Sequence, residues 1–221
     1  MLNINNLQFR YPESGFQLSL PTWSVPGGEQ AALIGPSGSG KTTLLSLLAG
    51  IREPLSGDIE LAGQRVDMLS DHERRNFRIS QCGLIFQSFE LIPYLNVVQN
   101  IQLPYYLNPV LERTPDVEIR AYQLAEQLGL SGYLQSRVTS LSVGEQQRLA
   151  VCRALITKPR VILADEPTAS LDQQNARRVI DLLFEYSQNE EAMLIMSTHD
   201  PALFSRFEHR LDFSSLISAT V

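Results

Sequence analysis

Four apolar residues, Ala31-Ala32-Leu33-Ile34, run directly into Gly35-Pro36-Ser37-Gly38-Ser39-Gly40-Lys41-Thr42. The leucine-rich stretch Thr42-Thr43-Leu44-Leu45-Ser46-Leu47-Leu48-Ala49 follows without a break. A short all-apolar run reads as a strand buried on both faces of a parallel sheet. The octapeptide matches GxxxxGK[ST] in full, and the stretch after it reads as a helix, with Gly50 placed to cap its carboxyl end. Strand, Gly-rich loop and helix in this order predict the opening βα unit of a P-loop nucleotide-binding core. The glycines let successive backbone N–H groups turn inward around phosphates. Lys41 adds a point charge for the β- and γ-phosphates, and Thr42 offers a hydroxyl to Mg²⁺. The chain has only two lysines, at 41 and 158, so Lys41 is not one of many solvated surface charges.

A phosphate loop of this kind needs a magnesium-holding carboxylate at the end of another buried strand. Val161-Ile162-Leu163-Ala164 is such a strand, and Asp165-Glu166 ends it. Asp165 is the candidate metal ligand, and Glu166 the candidate base that polarises an attacking water. The alternative is a pair of acids capping a helix. A second buried strand, Met193-Leu194-Ile195-Met196, ends at Ser197-Thr198-His199. Between the two, a helix beginning near Asp172 presents Ala176, Val179, Ile180 and Leu183 along one face. Strands alternating with helices predict a parallel α/β sheet whose ligand groups gather at the strands' carboxyl ends.

The remaining segments divide simply. Leu2 to Phe9 alternates apolar and polar residues as an early strand does, and Pro26-Gly27-Gly28-Glu29 reads as a turn. From about Ser88 to Ile156 there are no buried-strand runs, and the pattern is helical. One helix there is expected to be capped by Thr114-Pro115, to turn Val117, Ala121, Leu124, Ala125 and Leu128 inward, and to stop at Gly129. This segment reads as a helical subdomain, about residues 88–156, inserted into a core of about residues 1–87 and 157–221. The whole forms a single domain over 1–221.

Composition excludes several classes. With 43% hydrophobic residues the chain can build a packed core. A net charge of −6 argues against a broad basic nucleic-acid footprint. Cys82 and Cys152 have no CxxC partner and read as buried, reduced thiols of a cytosolic protein. No charged-then-apolar leader opens the chain, and no apolar run is long enough to span a membrane.

Beyond the phosphate loop, the order of motifs resembles the ATP-binding subunits of ABC (ATP-binding cassette) transporters over nearly the whole chain. Leu141-Ser142-Val143-Gly144-Glu145-Gln146-Gln147-Arg148 is similar to the family signature LSGGQ, in its LSGGEQQR form. Gln87 resembles the Q-loop glutamine, Ser170-Leu171-Asp172 the D-loop, and His199 the switch histidine that senses the γ-phosphate. Tyr11 falls where the family places an adenine-stacking aromatic, although simple packing also explains it. The resemblance implies an α/β P-loop NTPase fold with a mostly parallel sheet, an N-terminal antiparallel β subdomain and the inserted helical subdomain. It implies ATP and Mg²⁺ as cofactors, catalysis by Glu166 and His199, and metal contacts from Thr42, Gln87 and Asp165. It implies nucleotide contacts from Tyr11, Gly35 to Thr42, Thr43, Gln87, Ser142, Gly144, Glu145 and Asp172.

The signature also has a reading from its residues. Ser142, three positions before Glu145, forms a capping-box pattern, so a helix starts here and offers free N–H groups to an anion. In the family that end contacts the γ-phosphate held by the other subunit's phosphate loop, in a head-to-tail nucleotide sandwich. Val143 replaces the first signature glycine; as the first helical residue it keeps its N–H, but its isopropyl group crowds an approaching phosphate. The expectation is slowed closure or hydrolysis, not loss.

The implied partners are an integral-membrane permease and a second copy of this chain, or a paralogous ATPase, on the cytoplasmic face of the inner membrane. No nucleic acid is expected. The segments Asp71 to Arg78, Gly83 to Gln87, Leu91-Ile92-Pro93 and Asn100 to Pro104 resemble the branch of lipoprotein-releasing and macrolide-exporter ATPases. That likeness implies that the stretch from Phe89 to Tyr106 forms part of the groove that receives a coupling helix; ordinary subdomain core is the alternative. A mechanical signalling ATPase that gates a cell-envelope enzyme shares all these residues. A soluble ATPase of DNA repair or translation is disfavoured by the acidic charge and the lack of insertions.

Overall fold

The computed structural model describes residues 1–13 and 15–214; Ser14 and the end of the expected single domain, 215–221, lie outside the described residues. The chain opens with β1 (Leu2–Arg10), β2 (Gln17–Val25) and β3 (Gln30–Ile34), and passes through the phosphate loop into α1 (Lys41–Leu48). Next come β4 (Ser56–Leu61), β5 (Gln64–Arg65), α2 (Asp71–Gln81) and β6 (Cys82–Ile85). Four helices follow: α3 (Val97–Gln102), α4 (Pro104–Leu107), α5 (Pro115–Gln127) and α6 (Val143–Leu155). Then β7 (Val161–Asp165), α7 (Gln173–Asn189), β8 (Met193–Ser197), α8 (Pro201–Phe204) and β9 (His209–Asp212) complete the described chain.

The strands form two sheets. An antiparallel sheet has the order β2-β1-β4-β5, and a parallel sheet the order β6-β7-β8-β3-β9. The fold is therefore α/β, with the expected parallel core, an N-terminal antiparallel layer, and helices between β6 and β7. All five residues of β7 and of β8 are buried, as strands covered on both faces must be.

Alternation along the parallel strands divides them between two apolar cores. Ala32, Ile162, Ala164, Leu194 and Met196 face a core built with α3, α5, α6 and α7. Ala31, Leu33, Leu163, Met193 and Ile195 face the other core, where Leu44, Leu47 and Leu48 of α1 meet Leu2, Ile4 and Leu7 of β1. The helix after the phosphate loop is thus held between the two sheets.

Three expected elements form with local differences. The alternation of β1 is interrupted: its pairing with β4 shifts register between Asn5 and Gln8, and Asn6 adopts φ 48. This bulge accommodates the polar pair Asn5-Asn6, so that Leu2, Ile4, Leu7 and Phe9 all stay buried. Thr114 occupies the N-cap position of α5 but makes no side-chain capping bond; Pro115 at the first turn starts the helix by its fixed φ instead. The cap residue of α1 is Ala49, with Gly50 just beyond it at φ 62, the position where a left-handed glycine ends a helix.

Candidate nucleotide site

β3 delivers the phosphate loop to the carboxyl end of the parallel sheet, and β7 delivers Asp165 to the same end. β8 lies between them, and its Ser197 is in register with Leu33 on one side and Asp165 on the other. The sheet order therefore brings two groups 123 residues apart into contact: the Thr42 hydroxyl donates to Asp165 Oδ2 at 2.6 Å. The Ser197 hydroxyl donates to Asp165 Oδ1 at 2.6 Å, so both carboxylate oxygens of this buried acid are oriented. A hydroxyl and a carboxylate so placed are the hard oxygen donors that Mg²⁺ prefers.

Lys41, only 6% exposed, lies under the loop, and its ammonium donates to the Gly35 and Pro36 carbonyls at 2.9 and 2.8 Å. An ammonium has three donors, so one remains for a phosphate oxygen. Gly40 adopts φ 108, and a Cβ there would lie 2.7 Å from the Phe16 ring. The loop thus needs glycine at this point for both conformation and space.

A cavity of about 290 Å³ opens above the loop. Tyr11, Ser37, Gly38, Gly40, Lys41, Thr42, Thr43, Gln87, Asp165 and Glu166 line it, together with Phe16. Tyr11 packs edge-on against Phe9 at 4.8 Å between ring centroids, and the Arg52 guanidinium lies 5.0 Å from its ring centroid. Its hydroxyl is 3.4 Å from that of Thr43. Tyr11 and Phe16 form the aromatic side of the cavity, suited to a flat base.

Glu166 sits at the polar side, with backbone φ 47. Its N–H donates to the Ser197 hydroxyl at 2.9 Å. Its Oε1 lies 3.5 Å from His199 Nδ1, and the histidine side chain is largely exposed. A carboxylate and an imidazole are thereby paired at the mouth of the cavity, where a water can be oriented and a proton held.

The signature residues form a separate group. Ser142 caps α6, and its hydroxyl accepts from the Glu145 N–H at 3.3 Å. Glu145 Oε2 accepts in return from the Ser142 N–H at 2.7 Å and the Ser142 hydroxyl at 2.8 Å. These bonds, chiefly those from Ser142, hold the Glu145 carboxyl below the ordinary glutamate range. Gly144 faces Leu171 and the Ser170 carbonyl, where a Cβ would lie 3.3 Å from Leu171 Cδ2. Asp172 caps α7 and accepts from the Asn175 N–H at 2.9 Å. Ser142, Gly144, Glu145 and Asp172 do not line the cavity of their own chain. Val143 is 56% exposed at the first position of α6.

Sequence reasoning missed three residues of the site. In sequence Ser197 is only the end of a strand; its register between the two ligand-bearing strands is a property of the sheet. Phe16 reaches the cavity because β2 folds back beside β1. Gln147 bonds both the Glu166 carbonyl and the Ser170 N–H, and the capping-box pattern around it carries no hint of this.

Comparison with known proteins agrees with this geometry. Residues 18–169 match the family model described as ABC transporter. The chain is 43% identical over 187 residues to the uncharacterized ABC transporter ATP-binding protein YbbA of Escherichia coli (strain K12), covering 85% of this chain and 81% of that one. It is 36% identical over 217 residues to the lipoprotein-releasing system ATP-binding protein LolD of Hydrogenovibrio crunogenus (strain DSM 25203 / XCL-2), covering 95% and 92%. Among solved structures, the dimeric post-hydrolysis state of the ATP-binding cassette MJ0796 bound to ADP and Pi superposes with a TM-score of 0.87. That match has 28% identity and covers 96% of this chain and 94% of that one.

Proposed function

The chain belongs to the ABC transporter family, and from that premise we propose that it energises a membrane partner by ATP-driven closure of two copies. The protein is an ATPase. The observation that carries the reading is the convergence of the buried Lys41, the Thr42–Asp165 pair and Glu166 on one cavity, with His199 3.5 Å from the Glu166 carboxylate.

The cradle of loop N–H groups binds the phosphates, and Lys41 places its remaining N–H on them. Thr42 and Asp165 would hold Mg²⁺, and Gln87, which lines the same cavity, is the further candidate ligand. When bound, the ion neutralises charge on the β- and γ-phosphates. Glu166 orients the attacking water and receives its proton, while His199 holds the carboxylate from the other side. Water adds to the γ-phosphorus as the bond to the bridging oxygen breaks, leaving ADP and phosphate.

The signature residues Ser142, Gly144 and Glu145 stand apart from this cavity and present a capped helix N-terminus, which suits the γ-phosphate held by a second copy. The dimeric, ADP- and Pi-bound state of the structural relative supports the pairing of two copies. A groove of about 320 Å³ between α2, β6 and the helical segment is lined mainly by apolar residues, among them Ile79, Leu84, Phe86 and Leu103, with Arg78, Glu90 and Arg153 beside them. Its mainly apolar lining with charged residues among it fits an amphipathic helix of the membrane partner. Among the described residues no helix is long and apolar enough to cross a membrane. Similarity to the ATP-binding protein of a lipoprotein-releasing system supports a partner of that kind.

Glu166→Gln tests the catalytic part. It is expected to bind ATP, to accumulate as a dimer in gel filtration, and to release phosphate at least about 100-fold more slowly than wild type. Turnover at the wild-type rate would remove Glu166 from its role. Purification of the tagged chain from detergent-solubilised membranes tests the partner: an integral-membrane protein is expected with it. Recovery only from the soluble fraction, with nucleic acid attached, would overturn the transport reading.

A further inference from the structure

Gln147 lies on the second turn of α6, one turn behind the signature, and is only 2% exposed. Its side chain is used at both ends. Nε2 donates to the Glu166 carbonyl at 3.3 Å, and Oε1 accepts from the Ser170 N–H at 3.1 Å. It therefore spans the segment from the candidate base to the D-loop.

Glu166 needs such support. Its φ of 47 lies in the left-handed region, which a residue with a Cβ occupies only when its surroundings enforce it. The enforcement comes from two sides. The Glu166 N–H donates to the Ser197 hydroxyl and carbonyl of β8 at 2.9 and 3.3 Å. The Glu166 carbonyl accepts from Gln147 and from the Ala169 N–H at 3.2 Å. Of these bonds, only the one from Gln147 reaches across from the signature helix.

We propose that Gln147 is a positioning residue that fixes the Glu166 backbone, aims its carboxylate at the cavity, and ties that aim to the seating of the signature helix. The inference rests on the reading of Glu166 as the base and of α6 as the helix that closes on a second copy's nucleotide. The amino end of α6 then faces the other copy's ATP, while its next turn holds this copy's own Glu166. Closure at one site is passed through a single buried amide to the base at the other site. An amide suits the place because it donates to a carbonyl and accepts from an N–H at the same time. An ionised carboxylate has no donor for the carbonyl.

Gln147→Met keeps the length and removes both bonds. Steady-state phosphate release is expected to show kcat lowered by about tenfold or more, because a misaimed base loses transition-state stabilisation. The KM for ATP is expected to stay within about twofold, and ATP-dependent dimerisation in gel filtration to persist, since neither the phosphate loop nor the amino end of α6 is altered. Gln147→Glu supplies a second readout, and serves alone if the Met variant does not fold. Protonation returns an O–H donor to the Glu166 carbonyl, so its activity relative to wild type should rise as pH falls from about 8.5 to about 6, across the range of a buried carboxyl.

A kcat within about twofold of wild type for Gln147→Met, or a pH-independent ratio for Gln147→Glu, would overturn the proposal. Parallel loss of KM and dimerisation would overturn it too, by making Gln147 a packing residue of the signature helix. Wild-type turnover by Glu166→Gln marks a different failure: it removes the reading on which the inference stands, whatever the Gln147 variants do.

Discussion

Lys41 and Val143 carry opposite lessons about single residues. Lys41 is buried, yet its ammonium is already hydrogen-bonded to two loop carbonyls, so the charge is tolerated before a phosphate arrives. Val143 is more than half exposed, and it begins a helix whose capping bonds come from Ser142 and Glu145. Its isopropyl group is therefore presented to whatever approaches that helix end. Val143→Gly is expected to raise the ATPase rate, measured as phosphate release at saturating ATP, while loosening α6 by about 0.5–1 kcal/mol. A fall of tenfold or more, about 1.4 kcal/mol in the barrier, would show that valine is preferred at this contact.

Among the elements, the signature helix depends on its first turn. The Glu145 carboxyl is lowered mainly by its bonds from the Ser142 hydroxyl and N–H. A lowered folded-state pKa means that the capping contribution is complete above the ordinary glutamate pKa and disappears as pH falls through the lowered value. In a carbon-13 NMR titration the Glu145 side chain should titrate below ordinary glutamate, and Ser142→Ala should move it back up. An unmoved midpoint in that variant would deny the hydroxyl its part.

The β1 bulge makes a second element-scale test. Gly57 of β4 adopts φ 90 opposite Asn6, and a Cβ there would lie 2.3 Å from the Asn6 carbonyl oxygen. Gly57→Ala is expected to destabilise the antiparallel sheet by about 1–3 kcal/mol for the backbone conformation alone, read as a lowered urea midpoint. No change would mean that the bulge relaxes freely.

At the scale of the whole molecule, both cysteines lie in the apolar cores, Cys82 in the one shared with α1 and Cys152 in the one around α6. Burial pushes each thiol up to about 12, which leaves almost no thiolate near neutral pH. Iodoacetamide at pH 8 should leave the native protein unmodified by mass spectrometry and label two sites after denaturation. Rapid labelling of the native chain would contradict the packing around both residues.

The reach of the sequence follows from the range of the forces involved. Local patterns identified β3, β7 and β8, the α6 capping box and the phosphate loop, because apolar runs, caps and glycine-rich turns are encoded within a few residues. The Ser70–Glu73 capping box of α2 is an equally local signal. By itself, then, the sequence determined that a parallel α/β core carries a phosphate loop, a strand-end Asp165-Glu166 pair and a capped signature helix. Tertiary structure alone decided that Ser197 lies between Leu33 and Asp165, that Phe16 closes the cavity beside Tyr11, and that Gln147 reaches the Glu166 carbonyl. Strand order and helix seating come from burying two faces of one sheet at once, a condition summed over distant residues that no short segment encodes.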